Sequence, residues 1–105
     1  MNRGEVWWTD FDGLGGEMQK RRPAVIVSRN RANRLLNRVQ VVPLTTQVRR
    51  VHPGETIVKL NGGLRKAMAT QITTAAKERI RDKAGSLSDT DLKRVEAALR
   101  IQLAL

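Results

Sequence analysis

The apolar residues of this chain come in short runs, most of them too brief for a helix and bounded by turn formers. Glu5–Phe11 (EVWWTDF), Ala24–Ser28 (AVIVS), Val39–Thr45 (VQVVPLT) and Glu55–Leu60 (ETIVKL) are rich in β-branched and aromatic residues, the composition that fits a pleated, half-buried surface. Asp12-Gly13 with Gly15-Gly16, and Asn61-Gly62-Gly63, mark the breaks between them. Residues 67–74 (AMATQITT) make a further strand candidate. Residues 75–85 read as a charged connector ending at Gly85, and 29–38 as a turn or short helix. Pro43 cannot donate to a ladder, so its strand is expected at an edge or at a bulge.

A long helical stripe appears at the end. Ser88 is placed as an N-cap with Asp89 and Asp91 in the first turn. Leu87 and Leu92 sit at staple positions, and Leu92, Val95, Leu99 and Leu103 recur at helical spacing. About five strands and one long helix predict a mainly β, α+β fold: a compact antiparallel barrel or strongly twisted sheet covered by a C-terminal helix. A chain of 105 residues is expected to form one domain over 1–105. With so small a core, a homodimer is expected.

Composition narrows the chemistry. There is no Cys and one His, His52, which excludes thiolate catalysis, Cys-ligated metals and any scheme that needs two imidazoles. The formal net charge of +10 is uneven. Residues 1–19 carry −3, residues 51–105 carry +4, and residues 20–50 hold eight Arg and one Lys with no acid. Arginine is the residue suited to planar, bidentate contact with phosphate, so a polyanionic partner is the natural inference. Trp7, Trp8 and Phe11 are the only aromatics, too closely grouped to stack successive bases along several strands. Within their strand, Trp7 and Trp8 point to opposite faces. The N-terminal residues lack the apolar stretch of a secretory signal, and the cytoplasm is the expected location.

Three blocks carry a resemblance: Gly4-Glu5-Val6-Trp7-Trp8-Thr9-Asp10-Phe11-Asp12, Arg22-Pro23-Ala24-Val25-Ile26-Val27-Ser28, and Val41-Val42-Pro43-Leu44-Thr45-Thr46-Gln47. With Gly16-Glu17 five residues before Arg22, Thr70-Gln71, and Gly85-Ser86-Leu87-Ser88 ahead of the helix, the ordered set resembles the MazF/PemK family of toxin endoribonucleases over nearly the whole chain. The resemblance implies an SH3-like barrel of the CcdB/PemK type, a homodimer, no metal or other cofactor, and cleavage of single-stranded RNA at a short recognition sequence. It also implies a MazE-like antitoxin partner, most simply an acidic, partly disordered chain. Mapped onto this sequence, it assigns catalysis to Arg22 and Thr45, with Glu17 in an adjoining role. Lys20, Arg21, Thr46, Gln47, His52 and Gln71 are the expected RNA contacts. Thr70 stands where many members carry an acid.

Elementary chemistry fits these residue types. The ribose 2′-OH can attack the adjacent phosphorus if the protein removes a proton, stabilises the phosphorane oxygens and protonates the leaving oxygen. Arg22 suits the oxygens, and Thr45 can add a hydroxyl donor. An Arg with a pKa above about 12 is a poor base, which leaves Glu17 as the carboxylate candidate and His52 as an outside one. Two rival readings exist: a non-enzymatic toxin of the same fold that binds a protein such as gyrase, and a non-catalytic nucleic-acid-binding module. Gyrase-directed relatives end in Trp-Gly-Ile, whereas this chain ends in Leu103-Ala104-Leu105.

Overall fold

A computed structural model describes residues 1–11 and 20–105. Glu17 therefore lies outside the described residues. The elements are β1 (Glu5–Asp10), β2 (Arg21–Ile26), α1 (Asn30–Leu35), β3 (Arg38–Thr45), β4 (Glu55–Leu60), β5 (Gly63–Met68), β6 (Thr73–Ala76), β7 (Ile80–Ser86) and α2 (Asp89–Leu103). Short 3₁₀ turns at Ala69–Gln71 and Lys77–Arg79 flank β6. All pairings are antiparallel, in the order β4-β5-β3-β2-β1-β7, with β6 added on β3.

The sheet curls until its two outer strands approach each other. Asn61, in the turn after β4, donates its Nδ2 to the Ala84 carbonyl on β7 at 2.8 Å. Gly85 leaves room at this approach: a Cβ there would stand 2.9 Å from both Asn61 Oδ1 and Leu60 Cδ1, so those side chains would have to shift. The expected strongly twisted antiparallel sheet with a C-terminal helix is therefore what forms.

One apolar cluster lies between the sheet and α2, built from Val6, Val25, Val42, Leu44, Val58, Leu60, Ala67, Leu87 and Val95, with Leu92 and Leu99 packed against it. A second cluster, on the opposite face, joins Ala24, Ile26, Val39, Val41, Ala75 and Ile80, with Met1, Trp7 and Phe11 at its margin. Trp7 and Trp8 part as their alternation requires. Trp7 packs on the second cluster while Trp8 stays 39% exposed.

Several expectations are corrected. The strand placed at 67–74 is instead β5 followed by a turn and β6. The cause is the two-residue turn at Asn61-Gly62, both with positive φ, which starts the return strand at once, at Gly63. The connector at 75–85 contains β7, an edge strand whose Arg81, Asp82 and Lys83 are exposed. Pro43 lies in an interior strand: β3 pairs with β6 through Val41 and with β5 from Leu44, so the proline falls where the partner changes. The register irregularities lie between β1 and β7. In the helix, Leu103 is 48% exposed, and the small Ala98 is buried instead.

The cap forms as expected, with Ser88 Oγ accepting from the Asp91 N–H at 3.1 Å. Asp91 in turn accepts from the Lys59 N–H at 2.9 Å, tying the start of α2 to β4. Replacing Ser88 with Ala is expected to lower unfolding stability by about 1 kcal/mol, measured by urea denaturation followed by far-UV circular dichroism.

Candidate active site

The site is built on one rung of the sheet. Thr9 on β1 pairs with Arg22 on β2, and Thr45 on β3 pairs with Lys66 on β5. Between them, β2 and β3 are registered through Ala24 opposite Pro43. Continued by two residues, that register sets Arg22 level with Thr45. Val25, Leu44 and Ala67 belong to the cluster under α2, so alternation turns Arg22, Thr45 and Lys66 to the other face. Two of the three residues expected to be catalytic, Arg22 and Thr45, are thus carried on adjacent strands, at one level, away from the C-terminal helix.

Arg22 is half-buried, and its Nε is buried with no hydrogen-bond partner among the described residues. An unsatisfied buried donor typically costs about 1–3 kcal/mol, and more when charged, so the position is one an incoming acceptor would relieve. Thr45 is half-exposed at the end of β3, and its Oγ1 accepts from the Gln47 N–H at 3.2 Å. Its hydroxyl hydrogen remains available for donation. Thr9, on the other side of Arg22, is fully buried and donates its hydroxyl to the Trp7 carbonyl at 3.1 Å.

The expected RNA contacts divide. Lys20 is exposed just before β2. Thr46 and Gln47 are exposed directly after Thr45, and His52 is exposed near the far end of the same loop. Gln71 sits half-buried in the 3₁₀ turn, with its Nε2 3.7 Å from Met68 Sδ. Arg21 does not join Arg22. Alternation points it to the opposite face, where its Nε donates to Asp10 at 2.8 Å. Asp10 also accepts from Arg81 Nε at 2.7 Å, so one carboxylate links β1, β2 and β7.

Sequence reasoning missed Lys66 and Glu55. Lys66 is only 9% exposed, with its ammonium 3.6 Å from Glu55 Oε1 and donating to the Arg49 carbonyl at 3.3 Å. Residues 64–66 fall between the turn expected at Asn61-Gly62-Gly63 and the strand expected at 67–74, so Lys66 stands outside any expected element. Among the described residues, no three His, Asp or Glu side chains gather into a group able to hold a metal ion.

Two carboxylates are held below their ordinary range. For Asp10 the main cause is the hydrogen bond from Arg21, followed by the one from Arg81. For Glu5, burial pushes upward, but hydrogen bonds from the Asn2 N–H, the Trp7 indole and Lys83 outweigh it, so its pKa is lowered overall.

A buried guanidinium nitrogen with no partner among the described residues, level with a strand-end hydroxyl, is an arrangement whose chemistry suits a phosphate-bearing ligand. The family model described as PemK-like, MazF-like toxin of type II toxin-antitoxin system matches residues 2–103. The Mycobacterium tuberculosis protein named endoribonuclease MazF9 is 36% identical over 115 residues, covering all of this chain and 98% of that protein. A solved mycobacterial endoribonuclease in complex with its cognate antitoxin is 27% identical, with a TM-score of 0.85 over all of this chain and 96% of that one. MazF from Deinococcus radiodurans shares the fold with a TM-score of 0.86 at 21% identity, over 100% and 97% of the two chains. The chain belongs to the PemK-like, MazF-like toxin family.

The lowered carboxylates make part of the stability depend on pH. A group whose pKa is lower folded than unfolded contributes stability above its unfolded value and loses it as pH falls through the folded one. Stability is therefore expected to fall with acidification from about pH 5 downward. An Asp10→Asn variant is expected to show a shallower loss, read from melting temperature against pH.

Proposed function

We propose that this protein is the toxin of a type II toxin–antitoxin system, a sequence-selective endoribonuclease that cuts single-stranded RNA without a metal ion. The observation that carries the reading is the Arg22 Nε, buried without a partner among the described residues and level with Thr45, in a member of a family whose relatives are named endoribonucleases. The proposed reaction is attack of the ribose 2′-OH on the adjacent phosphorus. The bond to the 5′ oxygen breaks, leaving a 2′,3′-cyclic phosphate and a 5′-OH.

Arg22 places its donors on the non-bridging oxygens as charge develops there, the electrostatic role that typically contributes most to such a barrier. Thr45 adds a hydroxyl donor to the same oxygens. Glu17 is assigned to removal of the 2′ proton or to holding Arg22, since a guanidinium is a weak base. Lys20, Thr46, Gln47, His52 and Gln71 are assigned to the RNA strand around the cut. Arg21 is assigned a more distant, steering contribution because Asp10 engages it.

The active form is a homodimer in the cytoplasm, with the toxin domain spanning 1–105. No helix among the described residues is long and apolar enough to cross a membrane. An acidic antitoxin, disordered in part, would cover the basic site and exclude RNA, as the mycobacterial relative solved with its cognate antitoxin suggests.

Purified protein is expected to cut single-stranded RNA in EDTA, leave the DNA of the same sequence intact for want of a 2′-OH, and yield cyclic phosphate ends. Arg22→Ala and Thr45→Ala are each expected to lower kcat by about 100-fold or more. Glu17→Gln is expected to alter the acid limb of the rate profile. Intact RNA, or equal cutting by the Arg22 and Thr45 variants, would sink the enzymatic reading in favour of a binding module or a protein-directed toxin.

A further inference from the structure

Residues 46–54 leave the catalytic rung at Thr45 and return to the sheet at Glu55. This segment carries Thr46, Gln47, Arg49, Arg50 and His52, the polar groups best placed to meet bases near the cut. Its shape is held from below. Lys66 lies opposite Ile57, and Glu55 lies opposite Met68, which makes Lys66 and Glu55 diagonal neighbours on one face of the β4–β5 hairpin. Both side chains are nearly buried, at 11% and 12% exposure. From there the pair reaches two separate points of the loop: Lys66 Nζ donates to the Arg49 carbonyl at 3.3 Å, and Glu55 Oε1 accepts from the His52 N–H at 2.9 Å.

The loop also adopts backbone that needs holding. Arg50, immediately after the anchored carbonyl, has φ +54, a left-handed conformation that residues other than glycine keep only where their surroundings impose it. Gly54 closes the segment at φ +86, where a Cβ would lie 2.8 Å from Thr70 Cγ2.

A buried ion pair is a poor way to gain stability, since apolar residues of similar volume commonly do as well or better. Its worth here lies in the two anchor points. The geometry points to the Lys66–Glu55 pair as the device that fixes the shape of residues 46–54 and, through it, which RNA sequence is cut. These are positioning residues: their polar ends meet each other and the loop backbone at Arg49 and His52. The inference rests on the endoribonuclease reading above.

The test first maps the wild-type cuts on a long RNA. It then measures kcat/KM on a short RNA holding the preferred sequence and on the same RNA with one base changed. In the double variant Lys66→Met with Glu55→Leu, the preference ratio is expected to fall by about tenfold or more, because the polar groups that read the base lose their fixed placement. The melting temperature of the double variant is expected to be no lower, since apolar side chains replace the pair. Lys66→Arg, which keeps a cation, is expected to preserve the ratio, and Glu55→Gln to lower it. A ratio unchanged in the double variant and in Glu55→Gln overturns the inference while leaving the nuclease intact. Equal loss of cutting on both RNAs, or failure of every variant to fold, assigns the pair to stability and overturns it too. If wild-type protein leaves RNA whole, it is the endoribonuclease reading that falls.

Discussion

The molecule depends on one strand changing its partner. On one side β3 pairs with β2; on the other it pairs first with β6 and then with β5. The change happens at Val42-Pro43, where neither outer strand is registered against it. A proline mid-strand would cost a ladder bond in a uniform sheet, but here it stands where no second ladder exists. The consequence reaches the site. Beyond Pro43 the strand belongs to the β4–β5 hairpin on that side, so Thr45 is pinned to Lys66 while remaining level with Arg22 across the β2 side.

The two faces of the sheet divide the work. The face under α2 holds the larger apolar cluster and takes the helix. The other carries a smaller cluster at one end of the strands and the Arg22–Thr45 rung at the other. Charge follows the same division: Arg21, one residue from Arg22, is paired with Asp10, whereas Arg22 has a buried Nε with no hydrogen-bond partner among the described residues. Two adjacent arginines in one strand thus serve different ends because alternation separates them.

Much of this was legible in the residues. The β1, β3 and β4 runs, the Asn61-Gly62 turn and the Ser88 cap are local signals, and local signals survive folding when tertiary contacts agree with them. The Arg22 and Thr45 blocks could be named from their resemblance, but their meeting on one rung depends on strand register, which no local pattern encodes. What escaped was non-local. Lys66 reads as solvated until β4 and β5 bring Glu55 beside it. β6 and β7 are too short or too charged to show alternation, and their pairing with β3 and β1 decides their form.

The charged dress of β7 has a consequence for the protein as a solute. A small, strand-rich chain whose sheet ends in an open edge risks recruiting the edge of another molecule and growing into fibrous aggregates. Arg81, Asp82 and Lys83 lie along that edge, and two of them are drawn back onto β1 by Asp10 and Glu5. An incoming strand would have to bury these charges to add itself. The same side chains that make β7 read as part of a charged connector oppose edge-to-edge pairing of one molecule with another.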